Sequence, residues 1–198
     1  AGFALDATGW SPKTETDMMR YCYHVAGAVG IMMARIMGVH PDDGETLDRA
    51  CDLGLAFQLA NIARDIVEDA AIGRVYLPAD WLAEAGIPAD GVGLLHKRPA
   101  LALLSARLVD LAEPYYLSAS QGLRDLPLRS AWSIATAHGI YRQIGVEVKA
   151  RGAAAWDSRI STSKGQKLQF LLGGAVLALA SRRMQVRPRP DGLWMRPR

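Results

Sequence analysis

Apolar positions recur at helical spacing along most of the chain, and the breaks between them fall at Gly and Pro, so the pattern predicts an all-α protein. The opening residues through Asp6 have the character of a helix end, before a Gly9/Pro12 break. Thr16 or Asp17 can cap a helix that runs to about Met37 and stops at Gly38. Along it Tyr21, Val25, Val29 and Met33 are spaced at four and form one stripe, as a bundle core requires. Gly44 and Thr46 open the next helix, to about Ala70. Three more follow over 100–122, 128–150 and 163–183, and Pro114 is expected to kink the first of these.

Between 71 and 98 the helical pattern fails. Gly73-Arg74-Val75-Tyr76-Leu77-Pro78 reads as an extended or turn segment, because the residue before a proline is pushed out of the helical region. Asp80 then caps a brief helix that ends at Gly86. So long a connection inside a helical protein is more often functional than idle, and this one delivers a cation and a phenol.

The helix over 44–70 carries the sharpest chemistry. Gln58, Asn61, Asp65 and Asp69 are spaced +3, +4 and +4, so they share one stripe, which traces back through Gly54, Cys51 and Leu47. Leu55, Leu59, Ile62 and Ile66 flank it and further apolar residues, Phe57 among them, cover most of the rest, which predicts burial. Two carboxylates on adjacent turns of a buried stripe repel each other and lose hydration, so a positive charge is needed beside them. Oxygen donors from Asn61, Asp65 and Asp69 suit a hard cation such as Mg²⁺, which keeps waters that phosphates can replace. An internal ion-pair network through Arg64, or an exposed acidic face, accounts for the same residues. A second pair, Asp48 and Asp52, points to a different face and reads as solvated.

Composition narrows the choices. A chain of 198 residues supports one sizeable core, so 1–198 reads as a single domain. The net charge of +3 is a local property: from 181 onward six arginines face one aspartate, leaving −2 on residues 1–180. With Trp194 and Met195, this basic tail suits an anionic membrane surface or else frays in solvent. No nucleic-acid motif or basic helix interleaved with aromatics is present, so no nucleic-acid partner is expected. Cys22 and Cys51 sit inside helices without metal-ligand spacing and read as buried thiols of a reducing compartment. His138 reads as an ordinary core or interface histidine. The longest uncharged apolar run, 170–180, is too short to cross a bilayer.

Four stretches together resemble the squalene/phytoene synthase family: Tyr21-Cys-Tyr-His-Val25-Ala-Gly27-Ala-Val29-Gly30, the acidic run from Gln58 to Asp69, Gly73-Arg74-Val-Tyr76-Leu-Pro78, and Ala155-Trp156-Asp157-Ser-Arg159-Ile-Ser161-Thr-Ser163. The resemblance implies an isoprenoid synthase helical bundle around a central cavity. It also implies a Mg²⁺-dependent prenyltransferase, with Mn²⁺ as a substitute ion. Two geranylgeranyl diphosphates would be joined head to head to phytoene through a cyclopropyl diphosphate, in carotenoid biosynthesis. Asp65 and Asp69 match the family's second aspartate-rich motif and, with Asn61, would hold the metal. Gln58 and Asn61 would contact the metal-bound diphosphate, Arg64, Arg74 and Tyr76 would be phosphate partners, and Tyr21 would serve proton abstraction or steady a cation. Val25 and Val29, with Met33, would line the prenyl tunnel.

The sequence departs from that pattern in two places. The first aspartate-rich motif is absent, so the chain resembles the C-terminal two thirds of a synthase, and its own turnover is in question. Of the usual Arg-Gly-Arg, only Gly73-Arg74 remains. The rival expectations are a squalene- or dehydrosqualene-type synthase using farnesyl diphosphate, and a non-catalytic assembly-factor relative. An insoluble product implies a cytoplasmic enzyme peripheral to the inner membrane, handing over to a phytoene desaturase.

Overall fold

A computed structural model describes residues 5, 7–185 and 187–197, and among these there is helix but no strand. Most of the expected helix end before Gly9 lies outside the described residues. Helix α1 (Glu15–Cys22) passes through a π-helical turn (Tyr23–Gly27) into α2 (Ala28–Ile36). Helix α3 (Gly44–Ala71) is the long central element, α4 (Ala79–Glu84) is brief, and α5 (Arg98–Gln121), α6 (Leu128–Arg151) and α7 (Lys164–Ser181) complete the bundle.

Two helix starts differ from expectation. Thr14, not Thr16 or Asp17, caps α1, and Asp17 closes a reciprocal capping box with it. The fixed φ of Pro78 starts α4, leaving Asp80 inside its first turn. Helix α5 carries Pro114 without interruption of its helical run.

Helix α3 packs against α5, α2 and α6, and its apolar flank of Leu55, Leu59, Ile62 and Ile66 is buried as the pattern required. The crossing with α2 is close because glycines remove the side chains that would hold the helices apart. A Cβ on Gly54 would lie 2.3 Å from the Ala26 carbonyl oxygen, and one on Gly30 2.2 Å from that of Ala50. Cys22 and Cys51 are buried free thiols, and burial pushes Cys51 up to about 12. His138 is half-buried, with Nε2 3.0 Å from the Tyr116 carbonyl and its ring edge-on to Tyr116. No helix of the described residues is long and apolar enough to cross a membrane.

The expectation for Asp48, Asp52 and the tail is corrected. Asp52 is fully buried. Arg189 clasps it through two bonds of 2.9 and 2.7 Å, and the Ser118 hydroxyl donates to it at 2.6 Å. Arg196 pairs with Asp48 through its Nε alone. The Trp194 amide donates to the Tyr115 hydroxyl at 3.1 Å, and Arg49 donates to the Arg187 carbonyl at 2.7 Å. The described tail is thus a strap across the back of α3. Its cations come from residues about 140 positions later, a neutralisation that no local charge pattern reveals.

Candidate diphosphate and prenyl site

The face of α3 opposite the strap lines an apolar cavity of about 280 Å³, at the lower end of ligand-pocket volumes. From α3 it takes Thr46, Arg49, Ala50, Leu53, Gly54, Phe57, Gln58 and Asn61. These sit at steps of one, three and four, so they form one continuous helical stripe. Of the positions traced backward from the sequence only Gly54 belongs to it; Leu47 and Cys51 turn into the core instead. Val25, Val29, Met33 and Met37 supply a second wall and Ile134 and Tyr141 of α6 part of a third. Val29 and Met33 remain 44% and 43% exposed, so the cavity is open along that edge.

Arg49 forms the floor, an assignment that sequence reasoning missed. Its side chain is buried, and its guanidinium is held by Ser118 O at 3.1 Å, Glu45 at 2.6 Å and Arg187 O at 2.7 Å. Only its aliphatic stem is left to face the cavity. Phe57, by pattern one more apolar residue of the helix surface, stacks on Tyr141 at 4.2 Å within the lining. Of the Arg49 partners only Glu45 is local; Ser118 and Arg187, like the Tyr141 that Phe57 stacks on, lie far away in the sequence, so neither role is legible there.

At the other end the stripe turns polar. Gln58 and Asn61 line the cavity, and one turn on, Arg64 grips its neighbour Asp65 through bonds of 2.7 and 2.5 Å. Both side chains are mostly buried, so the internal pairing that the sequence left open is present here. Asp69 is half-buried. Burial first, then the Asp65 charge, lift its carboxyl to about 6, against the pull of Arg74. Gly73, at φ +77°, turns the chain back so that the Arg74 amide donates to the Asp69 carbonyl at 2.9 Å. That conformation, which L side chains rarely adopt, is what brings Arg74 beside the acidic turn.

Tyr21 is placed differently from its stripe mates. It is buried, stacked between Trp10 at 5.4 Å and Tyr76 at 4.9 Å, and it does not line the cavity. The π turn after it winds more widely than an α-helix and shifts the phase of α2 relative to α1. Tyr21 and Tyr76 thus join one aromatic stack, and Tyr76, Arg74 and Asp69 line a small recess beside Ile66. The later motif docks nearby: Trp156 Nε1 donates to Ala63 O at 3.3 Å, and Arg159 lies 3.6 Å from Glu68.

Asn61, Asp65 and Asp69 do not make a self-contained metal cage, and among the described residues no three His, Cys, Asp or Glu side chains are placed to form one. Two carboxylates and an amide do fit a hard cation that takes its remaining ligands from water and phosphate oxygens. The like-charge strain on Asp69 is what such an ion would relieve.

The family model for squalene/phytoene synthase matches residues 1–166. The chain belongs to the squalene/phytoene synthase family. Within that family it is 55% identical over 196 residues to a phytoene synthase of Pseudescherichia vulneris, covering 99% of this chain and 63% of that protein. It is 56% identical over 197 residues to a 15-cis-phytoene synthase of Enterobacter agglomerans, covering 100% and 66%. Among solved structures it resembles a dehydrosqualene synthase in complex with ligand, with a TM-score of 0.80 and 27% identity over 90% of this chain and 62% of that one. The chain therefore spans just under two thirds of the length of these relatives, and the isoprenoid synthase bundle is the fold they share with it.

Proposed function

We propose that the chain carries a diphosphate-binding half-site and its attached prenyl tunnel, and that it serves a phytoene synthase reaction: head-to-head joining of two geranylgeranyl diphosphates. The observation that carries this reading is the continuity of one stripe of α3, largely apolar from Thr46 to Phe57 and polar from Gln58 to Asp69. An amphiphile with a long hydrocarbon and an anionic head matches that profile. The names of the relatives support the same reading.

In this reading Asn61, Asp65 and Asp69 hold Mg²⁺, which when bound offsets the charge of the departing diphosphate. The protein's own groups do the rest. Arg64, held against Asp65 by two bonds, would be a phosphate partner beside the carboxylates. Arg74 approaches from the loop as a second phosphate partner, and Gln58 and Asn61 orient the head at the tunnel mouth. The apolar walls would shield the allylic chain from water on the sides they cover, which favours carbon–carbon bonding over hydrolysis. Tyr76 stacks on Tyr21 beside this end, where the pair would steady positive charge.

Peripheral membrane contact and handover to a desaturase are expected from the insolubility of a C40 product. The tail is a poorer candidate for that contact than its charge suggests, since Arg189 and Arg196 are engaged with Asp52 and Asp48.

The test is calorimetric titration of the chain with inorganic pyrophosphate, with and without Mg²⁺, beside Asp65→Ala/Asp69→Ala. The expected result is Mg²⁺-dependent binding that the double variant loses. A folded chain that binds no pyrophosphate in Mg²⁺ would overturn the reading in favour of a scaffold role.

A further inference from the structure

The segment 73–78, which carries Arg74 and Tyr76, lies outside any helix and begins at Gly73, the residue type with the widest conformational freedom. Its placement therefore depends on what holds it further along. At its far end Leu77 and Pro78 are buried, and the amides of Ala79 and Asp80, at the start of α4, donate to the Pro12 and Lys13 carbonyls at 3.0 and 3.2 Å. The first amides of a helix have no partner within it, and here no side chain caps them. A stretch from before α1 supplies the missing acceptors.

That stretch is itself fixed. Pro12 is fully buried, and Asp17 accepts from the Lys13 and Thr14 amides at 3.2 Å each, which ties the stretch to the first turn of α1. Just before Pro12, the half-buried Trp10 lays its ring on Tyr21 at 5.4 Å and 25°, and Tyr21 lies on Tyr76 at 4.9 Å and 20°. Three near-parallel rings thus run from the stretch before α1, through α1, to the loop. Tyr76 ends beside Arg74 and Asp69 in the small recess. Neither Trp10 nor Pro12 borders that recess or the prenyl cavity, so both act only through other groups.

We propose that Trp10 is a positioning residue of the diphosphate loop: through Tyr21 it sets the Tyr76 ring, and with the Pro12 and Lys13 carbonyls it holds Arg74 beside the acidic turn of α3. This rests on the half-site reading above, and adds to it a residue outside all four motif stretches.

The experiment titrates the full chain with inorganic pyrophosphate in Mg²⁺, comparing wild type with Trp10→Ala, Trp10→Leu and Trp10→Phe, each checked for its helical circular dichroism. Trp10→Ala and Trp10→Leu are expected to weaken binding about three- to tenfold, the worth of one aromatic contact, and Trp10→Phe to restore it to within about twofold. Leucine keeps the apolar bulk, so it carries the comparison should Trp10→Ala fail to fold. In a Tyr76→Leu background, Trp10→Leu is expected to weaken binding by less than about twofold further, because the stack it acts through is already cut. Limited trypsin digestion reads the loop without any ligand, since Arg74 and the distant Arg151 are both exposed. Trp10→Leu is expected to be cleaved after Arg74 about fivefold or more faster than wild type, and after Arg151 at the wild-type rate within about twofold. Unaltered affinity, no rescue by Trp10→Phe, an equal loss in the Tyr76→Leu background, or equal acceleration at both cleavage sites overturns the assignment while leaving the half-site standing. Wild type that binds no pyrophosphate removes the half-site reading beneath, and this assignment with it.

Discussion

Arg189→Ala tests the strap directly. Asp52 has no solvent access, and among the described residues Arg189 is its only cationic partner by hydrogen bond, with 15% of its own side chain exposed. Removing one member of a buried pair costs about 3–5 kcal/mol, because the remaining charge is stranded. The Ser118 hydroxyl at 2.6 Å still serves one carboxylate oxygen, which puts the expected loss near the lower bound, about 3 kcal/mol. For a chain of this length that is a fall in Tm of about 6–12 °C. The assay is urea unfolding followed by far-ultraviolet circular dichroism, with Tm as a second reading. Adding Asp52→Asn to Arg189→Ala removes the stranded charge and keeps the bond to Ser118, so it is expected to recover at least half of the loss. A loss of less than about 0.5 kcal/mol, the size of an ordinary surface substitution, would refute the strap and return Asp52 to the solvated face that the sequence suggested.

Gly54→Ala is expected to cost about 3 kcal/mol in the same urea assay, because its Cβ would meet backbone atoms of Ala26 and Gly27 that cannot rotate away. Asp69→Asn in metal-free buffer should raise Tm at pH 8 and leave it unchanged at pH 4. The folded carboxyl titrates near 6, above the ordinary 3.8, so its favourable contribution is complete at low pH and is lost as pH rises through 6. Because the group is only half-buried, the gain is about 1 kcal/mol, or about 2–4 °C. Ellman's reagent should label neither Cys22 nor Cys51 in the native chain and both in urea, since burial raises both thiols and shields them; prompt native labelling would contradict the packing around α3.

The sequence alone determined the helical class, nearly all the helix bounds and the stripe that bears Gln58, Asn61, Asp65 and Asp69. Periodicity is a local property, and each amphipathic helix declares its buried face without reference to its neighbours. The four motif stretches likewise pointed to the family, and the extended turn over 73–78 was legible because the residue before Pro78 is pushed out of the helical region. What only the tertiary structure decided was which charges and rings meet. Asp52 looked solvated until a distant Arg189 covered it, and Arg49 became a cavity floor only because Ser118, Glu45 and Arg187 hold its guanidinium away from the lining. Tyr21 left the stripe of Val25 and Val29 because a π turn, with no clear mark in the residues, intervenes. Pairing across long separations depends on how helices cross, and the crossing is set by close approaches such as Gly54 against Ala26, which no single segment encodes.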